Sequence, residues 1–282
     1  MIGEVSVGKL LPVWMKKCIK VVIAEAVDVM DVITGKRGAH LPPTRLLFDG
    51  SPTLKDYLQG GEDFMRAFRL LMKPKPSWRI LDIGSGVGRH TLPLTKFLNS
   101  KGSYEGFEIV KAGVEWCDKH ITTRFPRFRF TLVDLYNGSY NPKGKILPKD
   151  FVFPYENDSF DAVMALSVFT HMKPEDVSHY LKEVERVLKP GGKSLLTFFL
   201  INKESRVLLD NPDNSQRFVD TGDGYWTTHL DLPELAIGYD EKIVRRFYRE
   251  AGLEIERIAY GSWCGRKKFN DYQDEIIARK NR

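Results

Sequence analysis

From Lys73 onward, short apolar runs of strand length alternate with longer segments whose apolar residues recur every three or four positions. The runs predict strands at Arg79–Ile83, Ser103–Phe107, Phe128–Val133, Phe160–Leu166, Lys193–Phe199, Leu253–Ala259 and Asp274–Ala278. The periodic segments predict helices near Arg89–Leu98, Lys111–Ile121, Pro174–Leu188 and Asp240–Ala251. Alternation of this kind implies an α/β domain: a seven-stranded, mostly parallel sheet with helices on both faces. Lys189-Pro-Gly-Gly192 is expected to stop the third helix and turn the chain into the next strand.

Two stretches break the pattern. The proline-broken Lys73-Pro-Lys-Pro-Ser77 separates a domain expected over 73–282 from an N-terminal helical extension over 1–72. There Leu11, Trp14, Cys18, Ile19, Val22, Ile23, Val27, Met30 and Ile33 share a broad helical face. Such a face suits a lid over the core, a homodimer interface, or a membrane surface with Lys16, Lys17 and Lys20 at the headgroups; lid or dimer is the preferred reading. The second stretch, 200–239, is rich in Asn, Asp, Gly and aromatic residues and follows neither period, where a compact domain would carry a short loop. It reads as a substrate-covering insertion, or else as a long surface loop.

Charge changes this picture little. The 282 residues carry 43 Lys and Arg against 37 Asp and Glu, a net +6, but the two signs are interspersed, so a solvated mixed surface is preferred over a nucleic-acid or lipid face. Cys18, Cys117 and Cys264 lie far apart without CxxC spacing, which points to a reducing, cytoplasmic compartment and to no metal site. Six charged residues interrupt Leu10–Ile33, so no transmembrane segment is expected, nor is a signal peptide.

The chemistry concentrates after the first strand, where Arg79-Ile-Leu-Asp-Ile-Gly-Ser-Gly-Val-Gly-Arg89 runs from strand through a glycine-rich turn into a helix. Glycines let backbone approach a ligand, and a helix start offers free N–H donors. The spacing Gly84-x-Gly86-x-Gly88, with Arg89 where a dinucleotide fingerprint needs glycine, weakens NAD or FAD; no Gly-Lys-Ser/Thr follows to make a P-loop. Glu108 ends the second strand, where a carboxylate can accept both hydroxyls of a ribose. Asp134 ends the third and could accept from an exocyclic amine such as that of adenine. With Asp82, these acids describe an adenosine pocket; singly, each could be a turn or cap acid.

On these residues the chain resembles class I S-adenosylmethionine (SAM) dependent methyltransferases of the type 11 domain group. Phe160-Asp-Ala-Val-Met-Ala-Leu-Ser167 is similar to that family's fourth strand, and Leu181-Lys-Glu-Val-Glu-Arg-Val-Leu-Lys-Pro-Gly-Gly192 to the helix and turn before its fifth. The resemblance, over about Lys73 to Ala278, implies a Rossmann-like sheet of order 3-2-1-4-5-7-6 with strand seven antiparallel. It implies SAM as cofactor and S-adenosylhomocysteine as product. Gly84, Ser85 and Gly86 would lie against the methionine part, with Asp82, Gly88 and Arg89 in the same motif. Glu108 would take the ribose, Ile109 and Leu135 would flank the adenine, Asp134 would hold its amine, and Leu166 and Ser167 would lie beside the transferable methyl. Gly60-Gly-Glu-Asp-Phe64, in the extension, would close over the methionine end.

The acceptor is less legible. His171, just beyond strand four, is the candidate base or substrate contact, with a packed or capping histidine as the alternative. Tyr225, Trp226 and His229 in the insertion, with Trp263 after strand six, could form an aromatic wall around a substrate, or could be ordinary packing. His90 is read as structural. Tyr140-Asn-Pro142 lacks the second proline, and follows the wrong strand, for an amino-methylating motif acting on nucleic-acid bases; no cysteine ends strand four or five for covalent attack on cytosine. The preferred partner is a small or medium-sized acceptor methylated on O, N or S, with nucleic acid disfavoured. The rivals are a non-catalytic SAM-binding scaffold, and an RNA or DNA methyltransferase using a basic strip built from Arg245, Arg246, Arg266, Lys267 and Lys268.

Overall fold

The computed structural model describes residues 22, 26–35, 38, 41–48, 50–211, 214 and 217–281. Most of the apolar N-terminal helix expected over residues 10–33, including Cys18, lies outside them; residues 26–33 are helical.

Seven strands build the main sheet: β1 (Arg79–Ile83), β2 (Ser103–Glu108), β3 (Phe128–Leu132), β4 (Phe160–Ala165), β5 (Leu188–Phe198), β10 (Leu253–Ala259) and β11 (Asp274–Lys280). Their order is β10-β11-β5-β4-β1-β2-β3, which, counting only these seven strands, is 3-2-1-4-5-7-6. β11 runs antiparallel to both β5 and β10, and the remaining pairs are parallel. The strand ends fall close to those read from the apolar runs, except at β5. There Leu188–Gly192 joins the strand instead of forming a separate turn. Gly191 adopts φ +77°, and an added Cβ at Gly192 would meet the Lys189 carbonyl oxygen at 2.8 Å, so the glycines let β5 begin five residues early.

The period of two decides which face each strand residue serves. On β1, Ile80 packs with one cluster while Leu81 and Ile83 pack with another. The Ile80 face is covered by α1 (Leu54–Met72), α2 (Thr91–Phe97) and α3 (Lys111–Cys117), through Phe68, Met72, Leu94, Val114 and Trp116. The opposite face is covered by α4 (Pro174–Val187) and α6 (Glu241–Glu250), through Val177, Leu181, Val184, Val244 and Tyr248. Each of the larger apolar side chains fully buried here contributes about 1.5–3 kcal/mol relative to exposure. α2 starts at Thr91 because residues 89–90 stay in the turn, and α3 loosens into a π turn over Asp118–Thr122.

The 200–239 stretch folds as a small unit on the carboxyl side of β5. Its strands β6 (Leu200–Ile201), β7 (Val219–Asp220), β8 (Tyr225–Thr227) and β9 (Ile237–Asp240) form a second sheet of order β6-β9-β8-β7, with α5 (Lys203–Leu209) between the first two. Strands of two to four residues are too short to show a period, which is why the segment reads as irregular.

Asp274 anchors this unit. It is fully buried and accepts hydrogen bonds from the backbone N–H groups of Leu200 (2.7 Å) and Gly261 (2.7 Å), from Trp263 Nε1 (2.7 Å) and from Arg266 (2.9 Å). Arg266 is thus a buried structural residue, also bonded to Glu204, and belongs to no basic surface strip. Arg245 and Arg246 are paired with Glu241 and Glu250. Cys117 and Cys264 are buried free thiols.

Candidate active site

A cleft of about 370 Å³ opens at the carboxyl ends of β1, β2 and β4, within the range of about 300–1,000 Å³ usual for small-ligand sites. Parallel strands turn outward there, so each strand-to-helix loop delivers residues to one place.

The glycine turn forms the floor. Gly84, Gly86 and Gly88 take φ of +73°, +56° and +81°, a region that side-chain-bearing residues enter at a cost. Gly84 and Ser85 donate from their backbone nitrogens to the Phe107 carbonyl (2.9 and 3.1 Å), and Gly86 donates to Glu108 Oε2 (2.8 Å). Glu108 Oε1 accepts from Ile109 and Val110 N–H (2.7 and 2.9 Å). The carboxylate is buried, faces the cleft and has its orientation set by three backbone donors.

Gly84, Ser85, Gly86, Arg89, Glu108, Ile109, Leu135, Leu166, Ser167 and His171 all line this one cleft. Gly88, Asp82 and Asp134 stand outside its lining. Gly88 is tight against α3: a Cβ there would come within 2.7 Å of Ile121 Cδ1. Asp134 is exposed, and its carbonyl accepts from Lys145 and Ile146 N–H.

Asp82 lies beneath the turn, fully buried. Burial pushes its carboxyl up to about 7, against the hydrogen bond donated by Tyr104 Oη (2.6 Å). Thr91 in turn donates to Tyr104 Oη (2.8 Å), and Asp82 Oδ1 has no partner among the described residues.

Beyond β4 the chain turns sharply. Ser167 takes φ +59°, held by its N–H donating to Thr197 Oγ1 (2.8 Å) and its hydroxyl to Gln273 Oε1 (3.1 Å). A short 3-10 turn, Phe169–His171, follows. His171 Nδ1 lies 2.8 Å from the Glu234 carbonyl oxygen, its ring meets Tyr140 edge-on (5.6 Å), and burial lowers its pKa against the carbonyls of Glu234 and Leu235.

The expected aromatic wall is built from other residues. Trp263 is buried against Phe199 and Phe218, Trp226 lies under the Arg206 guanidinium (4.7 Å), Tyr225 packs on the main core, and His229 is exposed. None of the four lines the cleft. The insertion reaches it through Leu235 and Ala236, and Phe48, Gly50, Tyr136, Asn137, Tyr140, Thr170 and Gln273 complete the walls. No local signal marked these residues, because their positions depend on loops that meet only in the folded chain. His90, its ring tilted against Phe64 (4.8 Å), borders the cleft beside Arg89, where Gly60 and Gly61 bring α1 close.

These residues fit SAM. The turn has no side chain to obstruct a ligand at Gly84 or Gly86, the Ser85 hydroxyl is buried without a partner among the described residues, and Glu108 stands where two ribose hydroxyls can be accepted.

Comparison with known proteins agrees with the geometry. Residues 81–196 match the family described as methyltransferase domain. The chain is 31% identical over 119 residues to phthiotriol/phenolphthiotriol dimycocerosates methyltransferase 1 of Mycobacterium ulcerans, covering 42% of this chain and 36% of that protein. It is 28% identical over 177 residues to the tRNA N(3)-cytidine methyltransferase METTL2 of Danio rerio, covering 56% and 43%. The matches therefore span less than half the length of these relatives. A solved Pyrococcus horikoshii protein shares the fold with a TM-score of 0.58 at 18% identity, covering 86% of this chain and 97% of that one. Residues 81–196 thus match a methyltransferase domain, and they lie in a sheet of the order that the resemblance to class I methyltransferases implies.

Proposed function

We propose that this chain is an active methyltransferase that moves a methyl group from SAM to an oxygen, nitrogen or sulfur atom of a small or medium-sized molecule, with oxygen preferred. The observation that carries the reading is the convergence of the glycine turn, Glu108 and the turn after β4 on one cleft. When bound, SAM supplies a methyl group already activated by its sulfonium. The protein's task is then to hold the acceptor in line, exclude water and relieve it of a proton. Gly84, Ser85 and Gly86 would hold the methionine part, Glu108 the ribose, and Ile109 and Leu135 the adenine faces.

The cleft's extension past the glycine turn to Tyr140 and His171 favours an enzyme over a scaffold that only binds SAM. Residues 1–72 would act as an extension closing on residues 73–282, and Phe48 and Gly50 at the cleft support that role. Among the described residues no helix is long and apolar enough to cross a membrane; a cytoplasmic setting is part of the proposal. A nucleic-acid acceptor, the one the tRNA-acting relatives would suggest, predicts binding that weakens steeply with salt.

Calorimetric titration of SAM and S-adenosylhomocysteine into the purified chain and its Glu108→Ala variant tests the reading. Micromolar binding that the variant loses is the expected result. Absence of binding by either ligand would overturn it.

A further inference from the structure

Three observations around the turn after β4 bear on the acceptor. First, a carbonyl oxygen can only accept, so the contact between His171 Nδ1 and Glu234 O (2.8 Å) places the proton on Nδ1 and leaves the Nε2 lone pair available. Burial lowers the pKa of this imidazole, which keeps it uncharged at neutral pH. The neighbouring charges, Glu234 and Lys173, pair with each other at 3.8 Å.

Second, Thr170 is 0% exposed, lines the cleft, and its hydroxyl has no partner among the described residues. A buried hydroxyl without a partner costs about 1–3 kcal/mol, so it is satisfied when a ligand supplies one. Third, the side chains that line the cleft at this turn carry no formal charge: Tyr136, Asn137, Tyr140, Leu235 and Gln273 share the cleft with Thr170 and the neutral His171. Arg89, the cationic side chain in the lining, follows the glycine turn and donates to Ser51 (2.9 Å). Among the described residues, an acceptor carrying a carboxylate or phosphate would find no counter-charge in the lining at this turn, and the nearby Lys173 is already paired with Glu234.

We infer that the acceptor is an uncharged molecule presenting a phenolic hydroxyl, which Thr170 and His171 engage while Tyr140 borders its ring. The inference rests on the methyltransferase reading. Acidity selects phenol over alcohol. A phenol ionises near 10, a few units above an imidazole, whereas an alcohol ionises close to water, at about 15.7, beyond the reach of so weak a base. In the transfer the phenol's proton passes to His171 Nε2, the oxygen lone pair forms the new O–CH3 bond, and the S–CH3 electron pair stays on sulfur. The products are an aryl methyl ether, S-adenosylhomocysteine and a protonated imidazole that later returns its proton to water.

The test is calorimetric, with S-adenosylhomocysteine titrated first and 2-naphthol or 4-hydroxybiphenyl titrated into the loaded protein. Cyclohexanol and benzylamine are the controls, and methyl transfer from SAM to the same compounds is followed alongside. The expected result is binding of the phenols that exceeds the controls at least tenfold and falls at least tenfold in Thr170→Val. In His171→Gln, transfer should be lost while phenol affinity changes less than in Thr170→Val. Circular dichroism and unaltered S-adenosylhomocysteine affinity establish that the variants are folded. If S-adenosylhomocysteine binds but the phenols bind no better than the controls, or Thr170→Val leaves their affinity unchanged, the phenol assignment is wrong and the methyltransferase reading stands. If S-adenosylhomocysteine itself does not bind, the methyltransferase reading fails and the inference with it.

Discussion

The backbone N–H of Gly86 donates to Oε2 of Glu108 over 2.8 Å, which ties the glycine turn after β1 to the carboxylate that ends β2. Glu108 is therefore both a candidate ribose acceptor and a brace for the turn. Both of its oxygens accept from backbone N–H groups. In Glu108→Gln an amide NH2 would oppose at least one of those donors. Leaving one such group unmatched costs about 1–3 kcal/mol. SAM affinity should fall roughly ten- to a hundredfold in this variant, with a lowered melting temperature; calorimetry and thermal denaturation measure both.

Gly113 on α3 should matter for SAM although it does not line the cleft. A Cβ at this position would come within 2.8 Å of the Gly86 carbonyl oxygen and 2.9 Å of Phe48 Cζ. Backbone cannot swing aside as a flexible side chain can, and overpacking of this kind costs about 1–3 kcal/mol. Gly113→Ala should therefore displace the glycine turn and weaken SAM binding, while Gly191→Ala, whose added Cβ meets nothing within 4 Å, should lower stability through its +77° φ and leave SAM affinity unchanged.

The carboxyl of Asp82, raised by burial from 3.8 to about 7, holds its proton more tightly in the folded chain than in the unfolded one. Its contribution to stability is thus fully present below about pH 4 and is lost as pH rises through 7. The loss is bounded by ~4 kcal/mol, three units at 1.36 each. Asp82→Asn removes the ionisation, so the variant should gain on the wild type between pH 5 and pH 8. Urea midpoints of the ligand-free proteins at the two pH values are the measurement; a gap independent of pH would show that Asp82 does not titrate there.

Asp274 holds the insertion to the sheet through Leu200, Gly261, Trp263 and Arg266. Asp274→Ala would leave the Arg266 guanidinium buried with Glu204 as its remaining carboxylate. Removing one partner of a buried pair costs about 3–5 kcal/mol. The expected outcome is a large drop in the denaturation midpoint, together with proteolytic nicking within 200–239.

What could be read without the fold was whatever local chemistry enforces. β1 to β4, β10 and β11 and four of the helices follow from apolar period and the glycine turn, because a buried strand needs continuous apolar side chains and a left-handed turn favours glycine; the strand order came from the family resemblance. Glu108, Ile109 and Leu135 lie at or just beyond the carboxyl ends of parallel strands, where ligand crevices of such sheets lie, and all three line the cleft.

Position in space was a different matter. Trp263 and Trp226 carry the aromatic character of a substrate wall, yet one is buried under the Asp274 cluster and the other lies beneath Arg206, since an aromatic ring satisfies core and cleft equally well. Asp134 ends its strand as an acid should, but the chain after β3 turns back so that it faces solvent. Thr170, Tyr140 and the Glu234 carbonyl have no sequence signature, and only the packing of the β4 turn, the loop after β3 and the insertion brings them to His171. The sequence by itself determined the strands, the main helices and the glycine-turn side of the cleft through short-range rules. The side around His171 was decided by the tertiary structure, because it is made by loops whose meeting depends on every contact beneath them.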